Sequence, residues 1–327
     1  METVLRNRRW TGGLLALFAG FLVLGGAASA AHAWPPNPGP PPAPPAVPAP
    51  PALPALPALP GGLLPPPPLV PALPPPAPVN CTSQCDVQRQ GRVVIFLNNT
   101  VKYGDDSYRL LYKFLETSGK GVVVGELGPH YREIVDLSGS NATSSQLRAK
   151  LRELQADPSV QAIDLIISLH GSPATLWFED GEKNVASLGQ DISLDRQSSC
   201  RIKRGPNADC ELARQRKLRA VYSAACYGKS HAVGWVAAGF AVAAGAYGVH
   251  TDSAASFPTF LSTWRSGYTF KESVERANQA DGGRKYDNWA KSKWPEADSR
   301  RSWFVASGFD FDGLRIWTKT QQNRVQR

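Results

Sequence analysis

Five cysteines and five histidines hold most of the chemically useful side chains in this 327-residue chain. Cys81 and Cys85 are four residues apart, and Cys200 and Cys210 bracket the polar stretch RIKRGPNAD, so each pair is predicted to close a local disulfide in an exported chain. Cys226, in SAACYG, is left over. A lone thiol in an oxidising compartment is either an inert buried group or a chemically used one. Zinc is a poor rival, because no C-x-x-C pair and no paired histidines accompany these cysteines. His170, in the run DLIISLHG, is the best partner for the thiol. An ordinary cysteine is only a few per cent ionised near neutrality, and an adjacent imidazole can take its proton and later hand it to a leaving amine. The backbone N–H groups of Gly171 and Cys226 are then candidate oxyanion donors. His231 and His250 are second choices as base, since neither precedes glycine at the end of an apolar run.

Both candidates come directly after predicted strands. Residues 92–97 read as a continuous apolar strand, followed by a helix with Asp105 or Asp106 near its start and Gly119 at its end. A second strand is predicted at 134–137, then a helix opened by a Thr143-x-x-Gln146 capping box with Leu147, Leu151 and Leu154 on one stripe. Residues 163–169 form a third strand, apolar on both faces as central parallel strands are. TLWFEDGE reads as a hairpin and is followed by a long polar loop. A fourth strand is expected near 220–224, a small-residue helix near 231–238, a fifth strand near 246–249, and a helix capped by Thr269 and Glu272. Alternation of this kind predicts an α/β fold: one open, mostly parallel sheet flanked by helices on both faces. Ligands bind such sheets at the carboxyl ends of strands, where His170 and Cys226 fall.

The amino-terminal quarter reads differently. Residues 1–33 carry three arginines, an apolar run and A-x-A-like small residues, the layout of a signal peptide; uncleaved, the same run would serve as a membrane anchor. Residues 34–79 hold 23 of the 29 prolines and no charge, so they can bury no core and are expected to extend as polyproline II. At about 3.1 Å per residue this spacer reaches on the order of 140 Å, enough to hold a domain within a cell envelope. Residues 80–327 are left for one α/β domain. The formal net charge is +9, but the basic residues are scattered with no aromatic-interleaved module, so nucleic acid is not an expected partner. Arg201, Lys203, Arg204 and Gly205 sit at the tip of the predicted Cys200–Cys210 loop, a candidate processing site.

An apolar strand ending in His-Gly, then one ending in Ala-Cys-x-Gly (AVYSAACYG), with an LWF hairpin between them, resembles the legumain and caspase group of cysteine peptidases, clan CD, of caspase-hemoglobinase fold. The resemblance covers roughly residues 90–280. It implies that His170 is the general acid/base, Cys226 the nucleophile and Gly171 an oxyanion donor. It also places Asn98 or Asn99 where some relatives orient the imidazole. Several relatives read the substrate side chain with an acidic or amide residue two before the nucleophile; here that residue is Ala224, and Asp252 is the remaining candidate for a pocket favouring basic side chains. The expected function is an exported cysteine endopeptidase acting on protein or peptide, with no cofactor and no metal. A transpeptidase or ligase would use the same dyad, and the alternative from another class is a catalytically silent binding domain on the proline-rich spacer.

Overall fold

The computed structural model describes residues 87–104, 109–201, 207–280, 284–307 and 314–316. By its contacts the chain divides into Met1–Leu69 and Val70–Arg327, and all described residues belong to the second unit. The leader, the spacer, Cys81, Cys85, Asp105, Asp106 and residues 202–206 of the basic loop lie outside them.

Strands β1 (Arg92–Asn99), β2 (Glu133–Ser138), β3 (Ala162–Ser172), β4 (Thr175–Phe178), β5 (Gly181–Asn184), β6 (Leu218–Ser223), β7 (Val242–Ala246) and β8 (Arg301–Val305) form one sheet. Its main order is β2-β1-β3-β6-β7-β8, parallel except for β8, which runs antiparallel along β7. Strands β4 and β5 make a hairpin on the carboxyl end of β3. Helices are α1 (Arg109–Leu127), α2 (Ser144–Ala156), α3 (Val185–Cys200), α4 (Ala208–Gln215), α5 (Gly228–Ala238), α6 (Ser253–Arg265), α7 (Phe270–Gln279) and α8 (Lys285–Ala290).

Every residue of β1 and of β6 is buried, because helices cover both faces of the sheet. On one face Val93, Ile95, Ile163, Leu165 and Val221 pack with Leu147 and Leu151 of α2, Leu188 and Ile192 of α3 and Trp235 of α5. On the other, Val94, Phe96, Ile166 and Tyr222 pack with Val123 of α1, Phe260 and Trp264 of α6 and Phe270 and Val274 of α7. The open, mostly parallel architecture is therefore the one expected from alternating strand and helix.

Several local expectations are corrected. Helix α1 does not end at Gly119: it continues to Leu127, and the buried Val123 and Leu127 outweigh the roughly 1 kcal/mol cost of an interior glycine. The expected polar loop after the hairpin is α3, capped by Asn184, whose side chain accepts from the Ser187 N–H. Its buried stripe Val185, Leu188, Ile192, Arg196 and Cys200 has helical spacing, but a charged residue stands in it; Arg196 is held there by donating to the Ala238 carbonyl at 2.6 Å. The fifth strand lies at Val242–Ala246, earlier than expected, and is followed by the unforeseen α6. Thr143 caps α2 by accepting from the Gln146 N–H at 3.0 Å, while the Gln146 amide donates to Asn141 rather than closing a reciprocal box. The Thr269–Glu272 box on α7 is complete. Cys200 and Cys210 form a disulfide that ties the end of α3 to α4.

Candidate active site

The register of β3 against β6 brings the predicted pair to one place. Ile167 lies opposite Ser223 and the Ala224 N–H donates to the Ile167 carbonyl at 2.8 Å; His170 and Cys226 each follow three residues later, and a Cβ on the residue after His170, Gly171, would stand 2.9 Å from the Cys226 carbonyl oxygen. Beyond this level the two chains diverge. Strand β3 runs on through His170 to Ser172 and is clasped by the hairpin, with His170 opposite Trp177. The chain after β6 instead turns sharply: Tyr227 adopts left-handed backbone (φ 56°, ψ 23°) and α5 begins at Gly228. A non-glycine residue held there costs on the order of 1–3 kcal/mol, a cost that clusters at functional turns. It is held by its N–H donating to the Gly248 carbonyl at 2.8 Å, with its own carbonyl accepting from Ser230.

Two glycines let this turn form. The first residue of α5, Gly228, lies directly against Gly245 of β7, and a Cβ on Gly245 would fall 2.4 Å from the Gly228 carbonyl carbon. Backbone stands on both sides, so neither side can yield cheaply. Gly245→Ala is expected to lose about 1–3 kcal/mol of stability and to slow alkylation of the displaced Cys226, read by denaturant unfolding and thiol labelling.

The His170 imidazole places Nε2 2.7 Å from the Thr100 carbonyl oxygen. A carbonyl only accepts, so Nε2 carries the proton and Nδ1 is the basic nitrogen. Tyr112 meets the ring edge-on at 5.1 Å and Trp177 lies at 6.1 Å, and this burial lowers the pKa of His170. Cys226 is a free, half-buried thiol. Burial pushes its pKa up, opposed by the His250 backbone N–H, which donates to Sγ at 3.3 Å.

Gly171 and Cys226 are also brought together. A Cβ on Gly171 would stand 2.9 Å from the Cys226 carbonyl oxygen and 2.9 Å from Cε1 of His231. The missing side chain thus admits the Cys226 backbone and the His231 ring.

The remaining expectations fare differently. Asn98 and Asn99 do not orient the imidazole: Asn98 donates to the Glu116 carbonyl at 2.9 Å, and Asn99 to Glu179 at 2.8 Å and to the Gly139 carbonyl at 3.3 Å. The orienting group is the backbone of Thr100, one residue beyond. His231 is fully buried, with Nε2 2.9 Å from the Ser172 carbonyl, and supports the end of β3. His250 has both ring nitrogens engaged: Nδ1 with the Ala224 carbonyl at 2.6 Å, and Nε2 with a donor of Arg301 at 2.7 Å. Neither nitrogen is left to accept the thiol's proton. Asp252 is not an open pocket carboxylate. It is 3 % exposed and ion-paired with Arg301, whose side chain is fully buried, so its charge is neutralised inside the protein. Burial pushes the Asp252 carboxyl up, but His250 and Arg301 outweigh it and hold the group well below its usual range.

No family model matches the sequence, and no curated protein matches it. Among solved structures, the chain is similar to the crystal structure of caspase-1 from Spodoptera frugiperda, at 12 % identity over 74 % of this chain and 96 % of that one, with a TM-score of 0.48.

Proposed function

We propose that this protein is an exported cysteine endopeptidase in which Cys226 is the nucleophile and His170 the general acid/base. The observation that carries the reading is the parallel pairing of β3 and β6 up to Ile167 and Ser223, which is followed in each chain, three residues on, by His170 and Cys226, at the end of the sheet where open α/β sheets bind their ligands. The His170 tautomer supports it, since the Thr100 carbonyl occupies Nε2 and leaves Nδ1 to take a proton. In the first step Sγ bonds to the scissile carbonyl carbon as the thiol proton passes to Nδ1. The tetrahedral oxyanion is met by the N–H groups of Cys226 and Gly171. Nδ1–H then protonates the departing amine as the C–N bond breaks, giving a thioester. Water, deprotonated by the same nitrogen, releases the acid and the thiol. Export and display on the proline-rich spacer belong to the same proposal, with a protein or peptide as substrate.

Burial lowers the His170 pKa and raises that of Cys226, so the resting pair is a neutral imidazole beside a thiol, and the proton moves during attack. Activity requires neutral His170, so kcat/KM is expected to hold steady through neutrality and to fall only as pH drops below the ordinary imidazole value of about 6.5. A pH–rate profile on a cleaved peptide tests this; an acid limb above that value would contradict it.

A further inference from the structure

Behind Cys226 lies a buried polar cluster that the dyad does not use. Arg301, the first residue of β8, is 3 % exposed. Its Nη2 donates to Asp252 and to Ser256 and lies 2.7 Å from Nε2 of His250. Ser256 in turn donates to Asp252 Oδ1 at 2.9 Å, and Asn278 accepts from the Arg301 backbone N–H at 2.7 Å. A carbonyl only accepts, so Nδ1–H donates to the Ala224 carbonyl, while Nε2 faces both the Arg301 guanidinium at 2.7 Å and Asp252 Oδ1 at 2.9 Å. The ring therefore joins β8 and α6 on one side to the last turn of backbone before Cys226 on the other. The same residue's N–H donates to Sγ at 3.3 Å.

Keeping a buried arginine and carboxylate costs desolvation that apolar residues of similar volume would avoid, so the pair is poorly accounted for by stability alone. We propose that Arg301 and Asp252 are positioning residues for the Cys226 thiol, acting through His250: the ion pair fixes the imidazole against Ala224, and the His250 N–H so held favours the thiolate. The inference rests on Cys226 as a reacting thiol, not on any peptide being cleaved. Hydrogen bonding to the charged form lowers a pKa, and the thiol depends on such help because burial pushes it the other way. Other titratable or charged groups near the thiol are His170 from β3, the adjacent Tyr227 with Glu296 beside it, and His231, which meets Gly171 from α5. None of these is altered in the test variants.

The test is the pH dependence of Cys226 alkylation by iodoacetamide in the full chain, read by peptide mass spectrometry with Cys226→Ala as blank. Ser256→Ala removes the cluster's shared hydroxyl without leaving a charge unpaired, and the double variant Asp252→Asn with Arg301→Gln neutralises the pair together. Both are expected to move the alkylation midpoint up by about one pH unit, a roughly tenfold slower reaction at any pH below it, with folding verified by circular dichroism. Arg301→Lys, which keeps the charge, is expected to restore part of the shift relative to the double variant. Should the double variant not fold, Ser256→Ala decides alone. An unchanged midpoint in folded Ser256→Ala overturns the proposal. A raised midpoint in a protein that cleaves no peptide would sink the peptidase reading and leave this one standing.

Discussion

Cys226→Ala and His170→Ala are each expected to abolish peptide cleavage, by at least roughly 10⁴-fold in kcat/KM, while leaving the fold intact. Cys226 is half-buried and its Sγ accepts from the His250 N–H, so removing the sulfur opens little space. His170 holds one hydrogen bond to the Thr100 carbonyl and packs against Tyr112 and Trp177, a loss that β3 survives because its own ladder to β1 and β6 is unchanged. Nucleophile and base act as one unit, so the double variant should be scarcely slower than either single one. His231→Ala should behave differently. It removes the ring on which Gly171 rests and costs stability, but no proton is carried through it. Steady-state kinetics with circular dichroism on the four variants makes the comparison. Cys226→Ala or His170→Ala keeping more than about a tenth of wild-type activity would contradict the assignment.

A second large effect is expected at the opposite end of β3. Asp164 and Arg219, 2 % and 0 % exposed, form an ion pair between β3 and β6, with Arg219 Nε donating to Asp164 at 3.0 Å. Tyr131 donates to the same carboxylate and in turn accepts from the Trp264 indole at 3.1 Å, so β3, β6, α6 and the segment leading into β2 meet on one group. Arg219 also donates to the Arg315 carbonyl at 3.2 Å, holding residues 314–316 against the sheet. Asp164→Asn strips the charge from beside a guanidinium that cannot lose its own, and is expected to cost about 3–5 kcal/mol. The measurement is the free energy of unfolding from guanidinium titration. Replacing both partners, as Asp164→Leu with Arg219→Met, should recover most of the loss because no charge is then left unpaired. Asp164 and His170 are separated by six residues of extended chain, about 20 Å, so activity per folded molecule should be unchanged in Asp164→Asn. A loss below about 1 kcal/mol would show that the pair contributes no more than a surface salt bridge.

The strands that lead to the two catalytic candidates were legible because their runs stay mostly apolar, Asp164 and Ser168 in one and Arg219 in the other notwithstanding, and position at a strand's carboxyl end is itself a signal in a parallel sheet. Their surroundings were not. The group orienting His170 is a backbone carbonyl, and no residue type advertises it; the two asparagines beside it look suited to the task but are turned to Glu116, Gly139 and Glu179. Asp252 read as an open carboxylate because its partner, Arg301, arrives 49 residues later on an antiparallel edge strand that has no helix of its own to announce it. Helix α3 was hidden by Arg196, a charge in an otherwise apolar stripe, and the length of α1 by Gly119, whose punctuation the packing of Val123 and Leu127 overrides. In each case a long-range partner decided the outcome, and single-residue propensity carries no information about such partners.

Whether one particular imidazole makes the Cys226 thiol reactive is tested most directly by covalent capture. A library of peptidyl acyloxymethyl ketones, varied at every side chain before the reactive carbon, is offered to the native full chain, and the modified residue is located by peptide mass spectrometry. A single adduct on Cys226 is predicted, formed with a preference for some library members and falling at least tenfold in His170→Ala at neutral pH, because the imidazole takes the thiol proton as the sulfur attacks. Cleavage of the matching peptide amide should show the same preference. Equal labelling of Cys226 in wild type and His170→Ala, with no library peptide cleaved, would contradict it.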